Sequence, residues 1–382
     1  MTPSGVEPRG PVGSAGLTSI QGDAALATEL QALGAQLIGA RGPGLSRVGG
    51  AGPSDHKALK LYGQTIMVPV FTHAAGRSPF VLRMDLAGAG ATLLRCGERV
   101  ARVTFPRTPR FYSRSTADGI PYSQLATLHS DDVLATTVLQ HCVRYGNRAT
   151  SCQFCAIGQS LKAGTTVAKK TPAQLAEVAQ AAVELDGVRH MVLTTGTPPT
   201  SDRGAQVLSE CAAAISAAVT LPLQAQCEPP DDFDWFQRLH DAGVATLGMH
   251  LEAVSERVRR RIMPGKAEVH VERYMEAFAA AVAVFGRGQV TTFILAGLGD
   301  SLAEIEAISA RLVGLGVYPF VVPFVPIAGT PLEHHQTPNP AFMDEVLARV
   351  AVQLDAAGLR SQDIAAGCGR CGACSTLRSR EG

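Results

Sequence analysis

From residue 171 onward the apolar positions switch between a helical period and short continuous runs, regularly enough to lay out a fold. Thr171-Pro172 reads as an N-cap followed by a proline at the first helical position, opening a helix that closes near Gly187. A strand at 190–195 follows, then a helix at about 204–218 and a strand at 223–227. The series continues with a helix at 232–241, a strand at 244–251, helices at 255–261 and 270–284, and a strand at 289–296. A helix at 301–313, a strand at 317–325 and a final helix at 340–357 complete it. Strands spaced by helices predict parallel pairing through crossover helices. Several such units in a row predict an α/β fold built on a TIM-like (β/α) barrel, full or partial, rather than an open doubly wound sheet. In such a barrel the loops at the strand ends hold the active site.

Upstream the pattern differs. Residues 1–22 are rich in Gly, Pro and Ser and read as a disordered tail. A helical pattern begins at about 23 and runs into a Gly-rich loop by 50. Apolar stretches at 65–71, 80–86 and 100–105, separated by Gly, Pro and Arg, predict a small β-rich module. Gly88 and Gly90 follow a strand but lack a full phosphate-binding fingerprint, so a hairpin turn is the better reading. The chain therefore divides into a tail (1–22), an accessory region (23–135), a barrel core (136–335) and a C-terminal helix with a cysteine-rich tail (336–382).

Composition narrows the function classes. The 382 residues carry 34 basic and 33 acidic side chains, a net charge of +1, and no basic, aromatic-interleaved segment. That balance weighs against a nucleic-acid coat or a nucleic-acid modification enzyme. The apolar run at 278–285 is far shorter than the roughly 18–20 residues that cross a bilayer. The first residues lack a basic-then-apolar signal layout, so a cytoplasmic, non-membrane protein is expected.

Nine cysteines in a reducing compartment do not make a disulfide scaffold. They are unevenly placed: Cys142, Cys152 and Cys155 form one group, Cys368, Cys371 and Cys374 another, and Cys96, Cys211 and Cys227 stand alone. The first group reads C-x9-C-x2-C. Thiolates are soft ligands for zinc or iron–sulfur clusters. A structural zinc site usually takes four ligands, so three leave a position open for chemistry. The polar stretch 144–151 is flexible enough to bring Cys142 back to the pair. The second group, C-x2-C-x2-C in a glycine-rich loop, resembles the first three cysteines of a bacterial ferredoxin run. It favours a second iron–sulfur cluster over a zinc knuckle, its open ligand being substrate, Cys96 or Cys227. Cys211, on an Ala-rich helix, reads as core.

The first group, with Phe154 immediately before its last cysteine, resembles the cluster loop of radical SAM enzymes, although the gap is x9 where that superfamily has x3. Further segments are similar in the same order. Met191-Val-Leu-Thr-Thr195-Gly196-Thr197 occupies the place of the segment that holds the methionyl amine, but has no acidic residue. His250-Leu251-Glu252 resembles the strand-end H/N-L-E/D of lipoyl and biotin synthases, which makes Glu252 the ribose ligand. Arg259, Arg260 and Arg261 follow where the family places a cation for the methionyl carboxylate, and Arg261 is the residue carried over. Gly297-Leu298-Gly299-Asp300 resembles the turn near adenosine. The run from Pro323 through Val325 to Leu332 is similar to that of biotin synthase-like enzymes.

The resemblance implies a [4Fe–4S] cluster on Cys142, Cys152 and Cys155, S-adenosylmethionine as co-substrate, and a 5′-deoxyadenosyl radical that takes hydrogen from a small-molecule substrate. It also implies a flavodoxin- or ferredoxin-type electron donor. The β-rich N-terminal region, the long gap and the terminal CGRCGAC are most similar to the radical SAM family encoded in bacterial gene clusters with a nitrilase, which implies nitrile- or cyanide-linked nitrogen metabolism. Sulfur insertion, as in biotin and lipoyl synthases, is the alternative within the class. A zinc-binding structural or adaptor protein is the alternative outside it. The residues name no substrate and no catalytic side chain.

Overall fold

The computed structural model describes residues 15–39, 56–85 and 90–382. Gly88 of the suspected glycine turn falls outside them. The first helix, α1 (Ala15–Leu33), begins inside the expected tail, so residues 15–22 are helical backbone. Short strands follow: β1 (Gln36–Ile38), β2 (His56–Leu61), β3 (Gln64–Pro69), β4 (Phe80–Met84), β5 (Gly90–Arg95) and β6 (Glu98–Thr104). They form one sheet in the order β1-β4-β5-β6-β2-β3. β4 and β5 pair antiparallel, as a hairpin requires. Leu30, Leu59, Val68, Phe80, Leu82, Leu93 and Val103 are buried between this sheet and α1, which gives the accessory region its own core.

The second sheet opens with a short helix, α2 (Tyr122–Leu125), and the antiparallel pair β7 (Thr127–His129) and β8 (Val133–Thr137). β7 and the first residues of β8 lie before residue 136, so the barrel sheet begins earlier than the cysteine group led us to expect. Its first parallel strand precedes the cysteine loop. After α3 (Gln159–Lys162) the βα series runs α4 (Pro172–Asp186), β9 (His190–Thr194), α5 (Ala205–Ala218), β10 (Leu223–Gln226), α6 (Asp234–Asp241) and β11 (Val244–Gly248). It ends with α7 (Glu256–Ile262), α8 (Val271–Phe285), β12 (Val290–Ala296), α9 (Leu302–Leu315), β13 (Val317–Pro323) and α10 (Pro340–Ala357). The sheet order is β13-β12-β11-β10-β9-β8-β7, and β8 through β13 are parallel. β13 and β7 remain edges, so the barrel is partial.

Local chemistry sets these boundaries. Thr171 and Gln174 close a capping box on α4, Pro172 sits at its first position, and Gly187 (φ 68°) ends it in the left-handed conformation that glycine adopts without strain. Ser301 and Glu304 form a second capping box on α9. Along the strands one face is apolar: Met191, Leu193, Ala225, Leu247, Ile294 and Val321 are fully buried in the core shared with the helices. The alternate positions face the lumen and include polar and aromatic side chains. There Gln226 Nε2 donates to Gln224 Oε1 (2.7 Å), Gln224 Nε2 donates to Thr291 Oγ1 (3.2 Å), and the Phe293 and Phe320 rings meet edge to face.

Candidate functional site

The first cysteine group lies on the loop between β8 and α4, over the C-terminal strand ends. Val143 N–H donates to Thr197 O and Gly196 N–H to Leu139 O, both at 2.8 Å, laying the loop along the end of β9. Gly196 permits this approach, because a Cβ there would stand 2.0 Å from His141 O. The nine-residue gap closes on itself: Thr150 Oγ1 (3.1 Å) and Ser151 Oγ (2.8 Å) both donate to Arg144 O. Cys142 is thereby returned to the pair. Cys155 interacts with Cys142, Cys152 with Cys155, and Arg144 with both Cys142 and Cys152. Phe154 and Cys152 pack on Ala253, Ile262, Met263 and Phe324.

Two buried ion pairs border the thiols. Lys266 Nζ stands 2.8 Å from Glu252 Oε2. Arg144 pairs with Glu228, whose Oε1 also accepts from Thr197 Oγ1 at 2.8 Å. Glu228 Oε2 is buried without a hydrogen-bond partner. Burial pushes the Cys155 thiol up to about 11 and Cys152 well above its ordinary value, the latter reinforced by Glu252. Burial works against the Lys266 ammonium, yet Glu252 carries it above the usual lysine range. Thiols this deeply buried do not ionise unaided, whereas a bound metal centre deprotonates them outright. The donor set, three thiols and a carboxylate oxygen without a donor, fits an iron–sulfur centre with a charged small molecule beside it.

Glu252 itself is held in an unusual backbone conformation (φ 64°) just past β11. Its N–H donates to Phe293 O and its carbonyl accepts from Leu295 N–H, both at 2.8 Å. Arg259 is fully buried, and its guanidinium donates to the carbonyls of Leu251, Ala253, Lys266 and Val269, bracing the loops that carry Glu252 and Lys266. Asp300 accepts from Val254 N–H, Ser255 N–H and Ser255 Oγ, which joins the Gly297–Gly299 turn to the same frame. Arg261 is exposed and donates to Leu298 O at 2.8 Å. The cations beside the thiols are therefore Arg144 and Lys266, and Arg261 secures the glycine turn. Thr195 Oγ1 donates to the neighbouring Gly196 O, and Val325 lies half-buried just beyond β13.

The second cysteine group enters the lumen from the opposite, N-terminal end of the strands, partly on a one-turn helix, α11 (Cys368–Cys371). Gly367 N–H donates to His190 Nδ1 (3.1 Å), Cys368 N–H to Gln224 Oε1 (3.2 Å), and Gln226 Nε2 to Cys368 Sγ (3.4 Å). Cys368 and Cys371 pack on Val133, Ala135 and Val192. Cys371 also meets Ser130 and Asp132 of the β7–β8 turn. Cys374 packs against the main core. Neither lone cysteine offered as a fourth ligand is found here. Cys96 is exposed at the β5–β6 turn, and Cys227 points to the opposite face from Gln226, among the helices. The strand pleat decides the latter, since successive side chains alternate faces. Cys211 is core, as expected. Among the described residues no three His, Cys, Asp or Glu side chains converge on a single ion.

The tail is clamped from below by the accessory region. Ala373 O accepts from Met67 N–H (2.7 Å) and Gln31 Nε2 (2.9 Å), and the Thr28 and Thr376 hydroxyls bond at 2.7 Å. Sequence reading missed Arg144, Glu228, Lys266 and the lumen glutamines. Glu228 left one signal, an acid directly after a strand and before Pro229-Pro230.

Residues 144–312 match the model of the radical SAM superfamily. The chain is 26% identical to a bacteriochlorophyllide c C-7(1)-hydroxylase of Chlorobaculum limnaeum, over 71% of each chain. Among solved structures it is similar to methylornithine synthase (17% identity, TM-score 0.46, 65% of this chain and 68% of that one). It is also similar to a radical SAM methyltransferase from Sphaerobacter thermophilus (17%, TM-score 0.42, 76% of each). Among the described residues no helix is long and apolar enough to cross a membrane. The cofactors that go with this family are a [4Fe–4S] cluster and S-adenosylmethionine. Residues 144–312 are a radical SAM domain, and the protein is an enzyme of the radical SAM type.

Proposed function

We propose that this enzyme removes hydrogen from a small molecule held in the lumen between two iron–sulfur clusters, the first on Cys142, Cys152 and Cys155 and the second on Cys368, Cys371 and Cys374. The observation that carries this reading is the Gln226 contact with Cys368 Sγ at 3.4 Å. Gln226 stands two residues before Glu228, a rise of about 7 Å along an extended chain, and Glu228 borders the other thiol group. One lumen thus runs from one set of sulfurs to the other.

The cluster and S-adenosylmethionine supply the reducing electron and the radical; the protein supplies position and dryness. Glu252, held by Lys266, takes the ribose, while Thr195, Gly196 and Thr197 flank the methionyl end. Gly297, Gly299 and Val325 border adenosine. Gln226, His250, Phe293 and Phe320 line the space left for substrate, and His250 stays neutral there because burial, then Lys266, lowers it to about 3. The reductant is a flavodoxin- or ferredoxin-type donor. The relative's name, a hydroxylase, supports chemistry at a C–H bond. The resemblance to the nitrilase-cluster family supports a nitrile- or cyanide-linked setting. A second reading, sulfur insertion, is favoured by the tail thiols facing the lumen directly.

Anaerobic reconstitution tests the proposal. The expected protein is brown, binds about seven to eight irons, and forms 5′-deoxyadenosine on reduction. Colourless zinc protein, or S-adenosylmethionine left intact, overturns it. A product heavier by one sulfur, with loss of the tail cluster after one turnover, selects the second reading.

A further inference from the structure

The nine residues between Cys142 and Cys152 do more than return the first thiol to the other two. From Val133 to Ala176 the chain carries Arg144, Arg148, Lys162, Lys169 and Lys170 and no acid. Arg148, Lys162 and Lys169 are exposed, and Lys170 is spent on Thr137 O and Thr166 Oγ1. Arg144, by contrast, is buried and within the electrostatic reach of Cys142 and Cys152. The gap itself puts it there. Its carbonyl accepts from Thr150 Oγ1 and Ser151 Oγ, and its stem lies against Gly265, where a Cβ would stand 2.9 Å from Cδ. Glu228 holds the guanidinium through Nη1. Lys266, paired with Glu252, faces Cys152 and Cys155. Each thiol of the group therefore has a fixed cation within reach. An iron–sulfur cube on three thiolates carries one net negative charge when oxidised and two when reduced. In so dry a site the added charge is unfavourable, and a fixed cation beside the sulfurs offsets part of it.

We propose that Arg144 is a positioning residue of the first cluster: the long gap holds its charge against Cys142 and Cys152, and that charge makes the cluster easier to reduce by one electron. The assignment rests on the reading of Cys142, Cys152 and Cys155 as the cluster ligands. The electron comes from the flavodoxin- or ferredoxin-type donor, and no bond forms or breaks in the step. The extra length of the gap then has a use, since the fold that Thr150 and Ser151 close is what seats the arginine.

The test measures a potential, not turnover. Reconstituted full-length protein is poised anaerobically at a series of potentials without S-adenosylmethionine, and the electron paramagnetic resonance signal of the reduced first cluster is recorded. That signal is identified beforehand as the one that changes shape when S-adenosylmethionine is added. At the wild-type midpoint, Arg144→Gln is expected to lower the ratio of reduced to oxidised cluster about tenfold, a shift of about 59 mV to more negative potential. Arg144→Lys keeps the charge and is expected to stay close to wild type. Arg148→Gln, which removes an exposed cation of the same gap, is expected to change nothing. Should Arg144→Gln not hold the cluster, the Arg144→Gln, Glu228→Gln double variant takes its place, since it strands no buried carboxylate. A smaller shift of the same sign is expected there, because Arg144 faces two of the thiols. A wild-type potential in whichever of these holds iron overturns the proposal. So does an equal shift in Arg144→Lys or in Arg148→Gln, which would trace the effect to packing or to general surface charge. Wild-type protein with no signal that answers to S-adenosylmethionine removes the underlying reading, and this proposal with it.

Discussion

Lys266 Nζ lies 2.8 Å from Glu252 Oε2, fourteen residues apart in the chain, and both loops hang from the single guanidinium of Arg259. Replacing Lys266 with Met strands a buried carboxylate, and such losses cost about 3–5 kcal/mol. Urea denaturation is expected to show a loss of that order, and most of it returns in the Lys266→Met, Glu252→Gln double variant. Strictly additive losses would show that the two groups do not act as a pair.

The two thiol groups separate by assay. Cys142→Ala, Cys152→Ala and Cys155→Ala are each expected to abolish cleavage of S-adenosylmethionine. Cys371→Ala is expected to lower total iron by about half while uncoupled formation of 5′-deoxyadenosine continues. A Cys152→Ala protein making 5′-deoxyadenosine at the wild-type rate would remove that residue from the ligand set.

Gly196 tests how the cluster loop is seated. With His141 O only 2.0 Å from the Cβ of an alanine, Gly196→Ala pushes the loop off β9. Iron at the first site is expected to fall several-fold while the tail cluster survives, as read by Mössbauer spectra of the two centres. Full loading of both sites would show that the loop has room.

His250 gives a pH signature. Burial, then Lys266, lowers it from its ordinary 6.5 to about 3, so the folded protein holds it neutral while the unfolded chain protonates it near 6.5. Its contribution to stability is therefore whole above pH 6.5 and lost as pH falls toward 3. Between pH 7 and 5.5 wild type is expected to lose roughly 1 kcal/mol more than His250→Asn. Parallel pH profiles for the two proteins would contradict this.

The helical and strand series from residue 171 onward was legible because each crossover helix has a cap, a period and a stop, as Thr171, Pro172 and Gly187 illustrate. The start of the barrel was not, because β7 and β8 are short and joined at Ser130 by a left-handed turn (φ 59°) without a glycine to announce it. The two cysteine groups were legible because each clusters in sequence, and Glu252 because His250-Leu251-Glu252 resembles a known strand end. Glu228, Arg144 and Lys266 were not, because their partners come from distant loops, and a lone acid or lysine looks the same whether buried or solvated. Arg261 looked like a ligand cation for the same reason. The nitrile-linked setting has no counterpart among the side chains of the site.

The bond between Thr28 and Thr376 spans 348 positions, and Gln31 reaches Ala373 across 342. Contacts of such long range form late, after the nearer ones. During synthesis the half-barrel can therefore assemble while its underside is still unlaid, leaving Cys368, Cys371 and Cys374 accessible to an iron donor. The meeting of α1 with the turns after Cys374 then covers that end of the barrel. For the tail cluster proposed above, assembly order rather than a dedicated opening would decide when the iron arrives.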